Sequence, residues 1–231
     1  MAKAGRGPRP MILDLHAHSE ASDDSRAPLD SYLNWLQRKR ELLPIDGIVL
    51  TEHRQWNPHA DYRALEDKYG LLILRGAEVE TDYGHMLLYG VTDEMARRFD
   101  FADVHLPAQE LVREVDRMGG IAVPCHPGRP TIGLCEHYAA GRRPLDGVVA
   151  VEALNGGSRR GENERVADLL GRYGYAGFGG SDAHLVSAIG VCATAFDHGV
   201  RTAEDVVTAL RERRCRPIDF RARVRAARSA S

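Results

Sequence analysis

Short apolar runs alternate about seven times with segments of helical period, and that alternation constrains the fold more than any other feature of this chain. MILDLH (11–16), GIVLTEH (47–53), LLILRGAEVE (71–80), IAVPCHP (121–127), GVVAVEALN (147–155), AGFGGSDAH (176–184) and IGVCATAF (189–196) read as strands. Leu29, Tyr32, Leu33 and Leu36 fall at helical spacing, as do Leu111, Val112, Val115 and Met118, and Val166, Leu169, Leu170 and Tyr173. HMLLYGV (85–91) is expected to pair with the run before it as a hairpin across Asp82–Gly84. The pattern predicts one α/β domain with a parallel sheet, either closed as a barrel or open and doubly wound. No GxGxxG follows the first strand, so a dinucleotide fold loses support. The domain is expected over 10–220, between a loose tail (1–9) and a frayed one (221–231).

Charge and cysteine usage narrow the partners. The 31 basic and 33 acidic residues leave a formal charge of −2, which removes the electrostatic argument for a stable nucleic-acid or anionic-membrane partner. No run approaches the roughly 18 apolar residues of a membrane span. The apolar stretch behind MAKAGRGPRP is too short for a signal peptide. Four cysteines, no two of them in a CxxC pair, do not make a disulfide scaffold in a chain this long. The expectation is a cytoplasmic chain with reduced thiols.

Histidine is over-represented, with ten where about five are expected at ordinary usage. His16 and His18 end the first strand, with Asp23 just beyond. His53 ends the second, Glu78 lies near the end of the third and His85 starts the next. His126 ends IAVPCHP, and Asp182 and His184 end AGFGGSDAH. In a (β/α) barrel such ends converge on one face. A spacing of two on a strand puts His16 and His18 on the same side, and likewise Asp182 and His184. Imidazoles beside carboxylates suit zinc, manganese or iron, whereas magnesium and calcium prefer oxygen shells. Burying so many ionisable groups together is costly unless a cation compensates. His59, His105, His137 and His198 lack this placement and read as ordinary polar residues, and Cys125 reads as core, on the opposite side of its strand from His126.

In this order the segments resemble the PHP (polymerase and histidinol phosphatase) family. HAHSEASDD (16–24) resembles its first motif, TEH (51–53) its second, GAEVE (76–80) its glutamate segment and GHMLLYG (84–90) the histidine strand that follows. CHPGRP (125–130) and GGSDAH (179–184) resemble its His-Pro and closing motifs. The resemblance implies a single-domain, distorted (β/α)7 TIM-like barrel holding two or three divalent ions. One ion would take His16, His18, Glu78 and Asp182. A second would share Glu78 and add His85 and His126, and a third would take Asp23, His53 and His184. Ser19 stands where the family has Thr, Glu52 where it has Asp, and Asp24 where it has Gly. That last change leaves Asp23 or Asp24 as the ligand, with Asp23 favoured by register.

The implied activity is a metal-dependent phosphoesterase acting on a small monoester or a nucleotide-like diester through a hydroxide bridging two ions. Catalytic weight falls on Glu78, Asp182 and His184. Arg129, directly after His-Pro-Gly, suits a bidentate phosphate clamp. Arg159, beside Arg160, and Asn155 are further candidates for substrate contact. Loops 55–61 and 128–145 are the segments placed to cover the pocket. A nucleic-acid exonuclease, a C–N bond metallohydrolase and a non-catalytic metal-binding regulator are the alternatives. The first of these is disfavoured by the neutral charge.

Overall fold

In the computed structural model, which describes residues 9–229, strand β1 (Met11–Ala17) lies inside a seven-stranded mixed sheet. The others in it are β2 (Gly47–Leu50), β3 (Leu72–Thr81), β4 (Gly84–Tyr89), β5 (Ile121–Pro124), β8 (Cys192–Phe196) and β9 (Cys215–Asp219). Their order is β5-β4-β3-β2-β1-β8-β9, and β6 (Ala150–Asn155) with β7 (Ala176–Gly180) forms a separate parallel pair.

Only β1, β2 and β3 run parallel within the large sheet, and its remaining pairs are antiparallel. Beyond the expected hairpin, the parallel sheet read from the alternation is therefore corrected to a mixed one. The β3–β4 hairpin falls where the sequence places it, and its two connecting residues are far too few for a parallel crossover. A full (β/α)7 barrel is not drawn by the backbone ladders. The sheet curls instead, with β6 beside β5 and β7 beside β1. At the β1 seam Asp182 N donates to His16 O at 2.8 Å and His18 N to Ala183 O at 3.1 Å. At the β5 seam the His126 amide donates to the Glu152 carboxylate at 2.7 Å.

Helices α1 (Leu29–Arg38), α4 (Ala108–Arg117) and α6 (Glu162–Tyr173) bury the faces that their spacing predicts. Met118, Leu170 and Tyr173, toward the ends of α4 and α6, are only partly buried. Between these lie α2 (Arg63–Tyr69), α3 (Asp93–Arg98) and α5 (Leu134–Ala139), and α7 (Ala203–Arg211) opens on a capping box of Thr202 and Asp205. Two elements escape the sequence reading. Helix α3 buries only Met95, and β9 carries Pro217, which a sheet tolerates on an edge strand such as this one. The frayed tail is also corrected: residues 221–229 form α8 (Arg221–Ser229), with Val224 packed on the cluster that contains Phe220. Apart from Arg9, the expected N-terminal tail lies outside the described residues, as do 230 and 231. Among the described residues no helix is long and apolar enough to cross a membrane, and all four cysteines are free.

One glycine decides how closely the seam can shut. A Cβ on Gly180 would lie 2.3 Å from the Cβ of His16 and 2.9 Å from a Glu152 oxygen. The Gly-Gly-Ser-Asp turn thus lets β7 approach β1 and carry Asp182 to the histidine pair.

Candidate metal centre

The strand ends meet as expected. His16 Nε2 and His18 Nε2 lie 3.0 Å apart, and both face Glu78 Oε2, at 2.9 and 3.1 Å. Asp182 Oδ1 stands 3.4 Å from each. These four side chains form one potential ligand set, and Glu78, His85 and His126 form a second. In the second set Glu78 Oε1 lies 2.8 Å from His85 Nδ1 and 3.0 Å from His126 Nε2. Glu78 therefore turns one oxygen to each set. Both His126 (φ 30°) and Asp182 (φ 52°) occupy the left-handed region, which costs roughly 1–3 kcal/mol each and persists where the surroundings dictate it.

Electrostatics bear on what this arrangement could hold. Burial would lower the pKa of His16, but Glu152, Asp182 and Glu78 hold it well above the usual imidazole range. Burial acts on His18 in the same way, and bonds to Asp182 and Glu78 push it up to about 9. Burial would raise Glu78 and Asp182, yet the surrounding histidines hold both well below the usual carboxylate range. His126, by contrast, is driven down by burial. The carboxylates are thus held ionised and demand positive charge from inside the cluster. A divalent cation supplies that charge while leaving the imidazoles neutral, so the donor set fits a metal.

At the rim, His18, His53 and His184 form a third set. Of the two carboxylates left open as the rim ligand, the structure brings Asp24 and not Asp23 to the rim histidines. The Asp23 carboxylate pairs with Arg54 and is 66% exposed, whereas Asp24 Oδ2 lies 3.3 Å from His53 Nε2 and 3.2 Å from His184 Nε2. Residues 20–24 form turns, where strand alternation no longer tells which side chain points inward. Glu52 organises that turn by accepting from Ser19 N and Oγ and from Ser22 Oγ. Two departures from the family pattern, Ser19 and Glu52, are therefore partners. His59, His105, His137 and His198 join none of the three sets.

The candidate substrate residues border the same cluster. Arg129 Nη2 donates to Asp182 Oδ2 at 2.7 Å, and with Arg159 it lines a cleft of about 420 Å³. Asn155 is fully buried; its Nδ2 donates to Glu152 Oε2 at 2.9 Å and to Asp182 Oδ2 at 3.3 Å, while its Oδ1 has no partner. Arg160 is exposed. The segment 128–145 is tied to the β3–β4 turn through Arg142 and Asp82.

Two buried groups escape the sequence reading. Glu152 accepts from His16 Nδ1 at 3.0 Å, which leaves Nε2 for the cluster. Asp14 accepts the amides of Ser181, Gly190 and His16, and burial pushes it up to about 6. A carboxylate inside each apolar run, MILDL and AVEAL, is the signal that could have found them. Cys125 is core, as the sequence reads it, but its sulfur lies against the ligand cluster and not on the opposite side from His126.

Comparison with known proteins bears on this arrangement. A family model described as PHP-associated matches residues 160–215. An uncharacterized protein of Methanocaldococcus jannaschii is 23% identical over 164 residues, 68% of this chain and 89% of that one. The crystal structure of PsfC from Pseudomonas syringae superposes with a TM-score of 0.68 at 21% identity, covering 96% of both chains. The lesion-specific endonuclease Q of Pyrococcus furiosus superposes at 0.62 with 18% identity, over 87% of this chain and 56% of that one. The PHP resemblance read from the motifs is borne out by the family model over residues 160–215, and the two structures share the fold. That last neighbour is a lesion-specific endonuclease, which sits against the expectation that nucleic acid is an unlikely partner.

Proposed function

We propose that this PHP-type chain is a metal-dependent hydrolase of phosphoric esters, acting on a small monoester or a nucleotide-like diester. The observation that carries the reading is an arginine fork joined to a buried ligand cluster: Arg129 reaches Asp182 at 2.7 Å and opens with Arg159 onto one cleft. His16, His18, Glu78 and Asp182 would hold one ion, Glu78, His85 and His126 another, and His53 and His184 with Asp24 a third. When bound, zinc, manganese or iron ions would lower the pKa of water and neutralise phosphoryl charge. The chain's own part is positional. Glu78 and Asp182 stay ionised, Glu152 fixes the tautomer of His16, and His184 is oriented by its Nδ1 contact to Asp182 O at 3.0 Å. Arg129 offers its donors to phosphoryl oxygens at the edge of the cluster.

Arg129→Ala should cost about 10–150-fold in kcat/KM on a phosphorylated substrate, the equivalent of roughly 1.5–3 kcal/mol for a charge-assisted contact. Arg129→Lys should recover only part of it, because an ammonium lacks the fork. Inorganic phosphate should inhibit the parent competitively and the Ala variant far less, at matched metal loading. Equal inhibition constants would remove the clamp and favour a substrate without phosphate.

A second reading draws on the endonuclease neighbour: the same centre would act on a phosphodiester within or at the end of a nucleic-acid strand. Assaying phosphorylated metabolites beside DNA and RNA oligonucleotides separates the two. Turnover of oligonucleotides alone would replace the small-molecule reading.

A further inference from the structure

The cleft beside the metal centre holds a charged group that the proposed reaction leaves unused. Glu162, the first residue of α6, lines the same space of about 420 Å³ as Arg129 and Arg159. It is 7% exposed. Close backbone contact fixes its place. A Cβ on Gly128 would lie 1.8 Å from Glu162 O, so the turn that carries Arg129 rests directly on the start of α6. The inner end of the cleft is the metal centre itself. Arg129 reaches Asp182 at 2.7 Å there, and a Cβ on Gly157, which also lines the cleft, would lie 3.1 Å from Asp182 Oδ2.

The bonding of this carboxylate is incomplete. Glu162 Oε2 accepts the Arg159 amide at 2.9 Å, while Oε1 has no hydrogen-bond partner among the described residues. Two guanidinium groups line the cleft with it, yet neither forms an ion pair with it. Arg129 pairs with Asp182, and the Arg159 side chain pairs with no carboxylate among the described residues. An open acceptor with little access to water is costly, and beside a phosphate site it also repels the anion that Arg129 attracts. Both costs are offset if the part of the substrate beyond the phosphoryl group brings a hydrogen-bond donor. A protonated amine would be repelled by the two arginines, so a neutral hydroxyl fits the cleft better.

On the phosphoesterase reading above, we infer that Glu162 is a specificity-determining residue that accepts a hydrogen bond from a hydroxyl of the leaving group. The substrate class is then a phosphate ester of a polyhydroxylated, sugar-type alcohol. Arg129 and the metal ligands face its phosphoryl end, and Glu162 Oε1 faces its hydroxyls.

Two monoesters decide it with the metal-loaded full chain: ribose 5-phosphate, and tetrahydrofurfuryl phosphate, which has the same ring without the hydroxyls. The parent should favour the ribose ester by about 10–150-fold in kcat/KM, the range for a hydrogen bond to a charged group. Glu162→Ala should bring the ratio of the two kcat/KM values close to one. Glu162→Gln can still accept from the Arg159 amide and should keep part of the preference, because a neutral amide makes the weaker bond. Where the alanine variant does not fold, the reduced ratio of the glutamine variant decides alone. A merely structural role at the start of α6 would slow both esters alike and leave the ratio intact. An unchanged ratio in the variants, or a parent that hydrolyses both esters equally well, would overturn the inference and leave the phosphoesterase reading standing. Hydrolysis of neither ester would bring down the small-monoester reading and this inference with it.

Discussion

His16, His18 and Glu78 are at most 1% exposed and stand on or at the ends of strands, whereas the side chains of His53, His184 and Asp24 are 12%, 29% and 53% exposed on rim loops. The inner half is fixed by backbone ladders and by the buried carboxylates Glu152 and Asp14. Among the described residues the rim half has a single backbone bridge, between His53 and Glu78, and otherwise depends on side-chain ties such as the His53 amide donating to Ser22 Oγ at 3.0 Å. The difference teaches where the ions should be strongly held. Inner ligands cannot turn to water and leave ionised groups uncompensated if a cation departs, which is expensive in a buried setting. Rim ligands can be solvated, so the rim ion should leave first under chelation.

The largest effect expected is at the junction of the two inner sets. Glu78→Gln keeps the size but removes the charge that serves both, and turnover should fall by at least about 10²-fold, beyond the loss typical of orienting groups. Metal analysis of the variant should show the loss of more than one ion. Near-normal turnover at full metal content would show that Glu78 does not join the sets.

A smaller loss is expected one contact away. Glu152→Gln weakens the hold on His16 Nδ1 and should reduce inner-site metal affinity by about 10–100-fold while leaving the rim site unchanged. Equal weakening of both sites would erase the distinction between inner and rim halves. Smallest is the rim itself. Asp24→Asn should weaken rim-ion binding by about tenfold, an order-of-magnitude figure at the low end for a lost orienting or liganding group. Asp23→Asn should leave it unchanged, because that carboxylate faces Arg54. Calorimetric titration of both variants decides the register, and the reverse ranking would return the ligand to Asp23.

What the sequence made legible follows the same division. Period two along β1 correctly joins His16 to His18, because a strand fixes where alternate side chains point. Eight of the nine expected ligand positions converge. The ninth, Asp23, stands apart from them, in a turn where no period applies. The sulfur of Cys125 faces the cluster for a related reason: the strand stops one residue before it, and the positive φ of His126 undoes the alternation. Topology was partly legible. The β3–β4 hairpin announces itself by a tight turn between apolar runs. The antiparallel placement of β8 and the edge strand β9 depends on long-range pairing that local pattern does not encode, and Pro217 with its flanking arginines conceals β9. Glu152 and Asp14 were visible as carboxylates in apolar runs, but only the fold shows that they face the imidazole of His16 and the Ser181 amide.

The central claim is that one continuous cluster of strand-end side chains holds more than one divalent ion. Elemental analysis of the full chain purified without chelator, repeated after stepwise chelation, tests it most directly. The account predicts more than one equivalent of divalent metal per chain, released in stages with the rim ion first, and activity lost as the inner ions leave. One ion or none at saturation, or full activity in the metal-free chain, would contradict it.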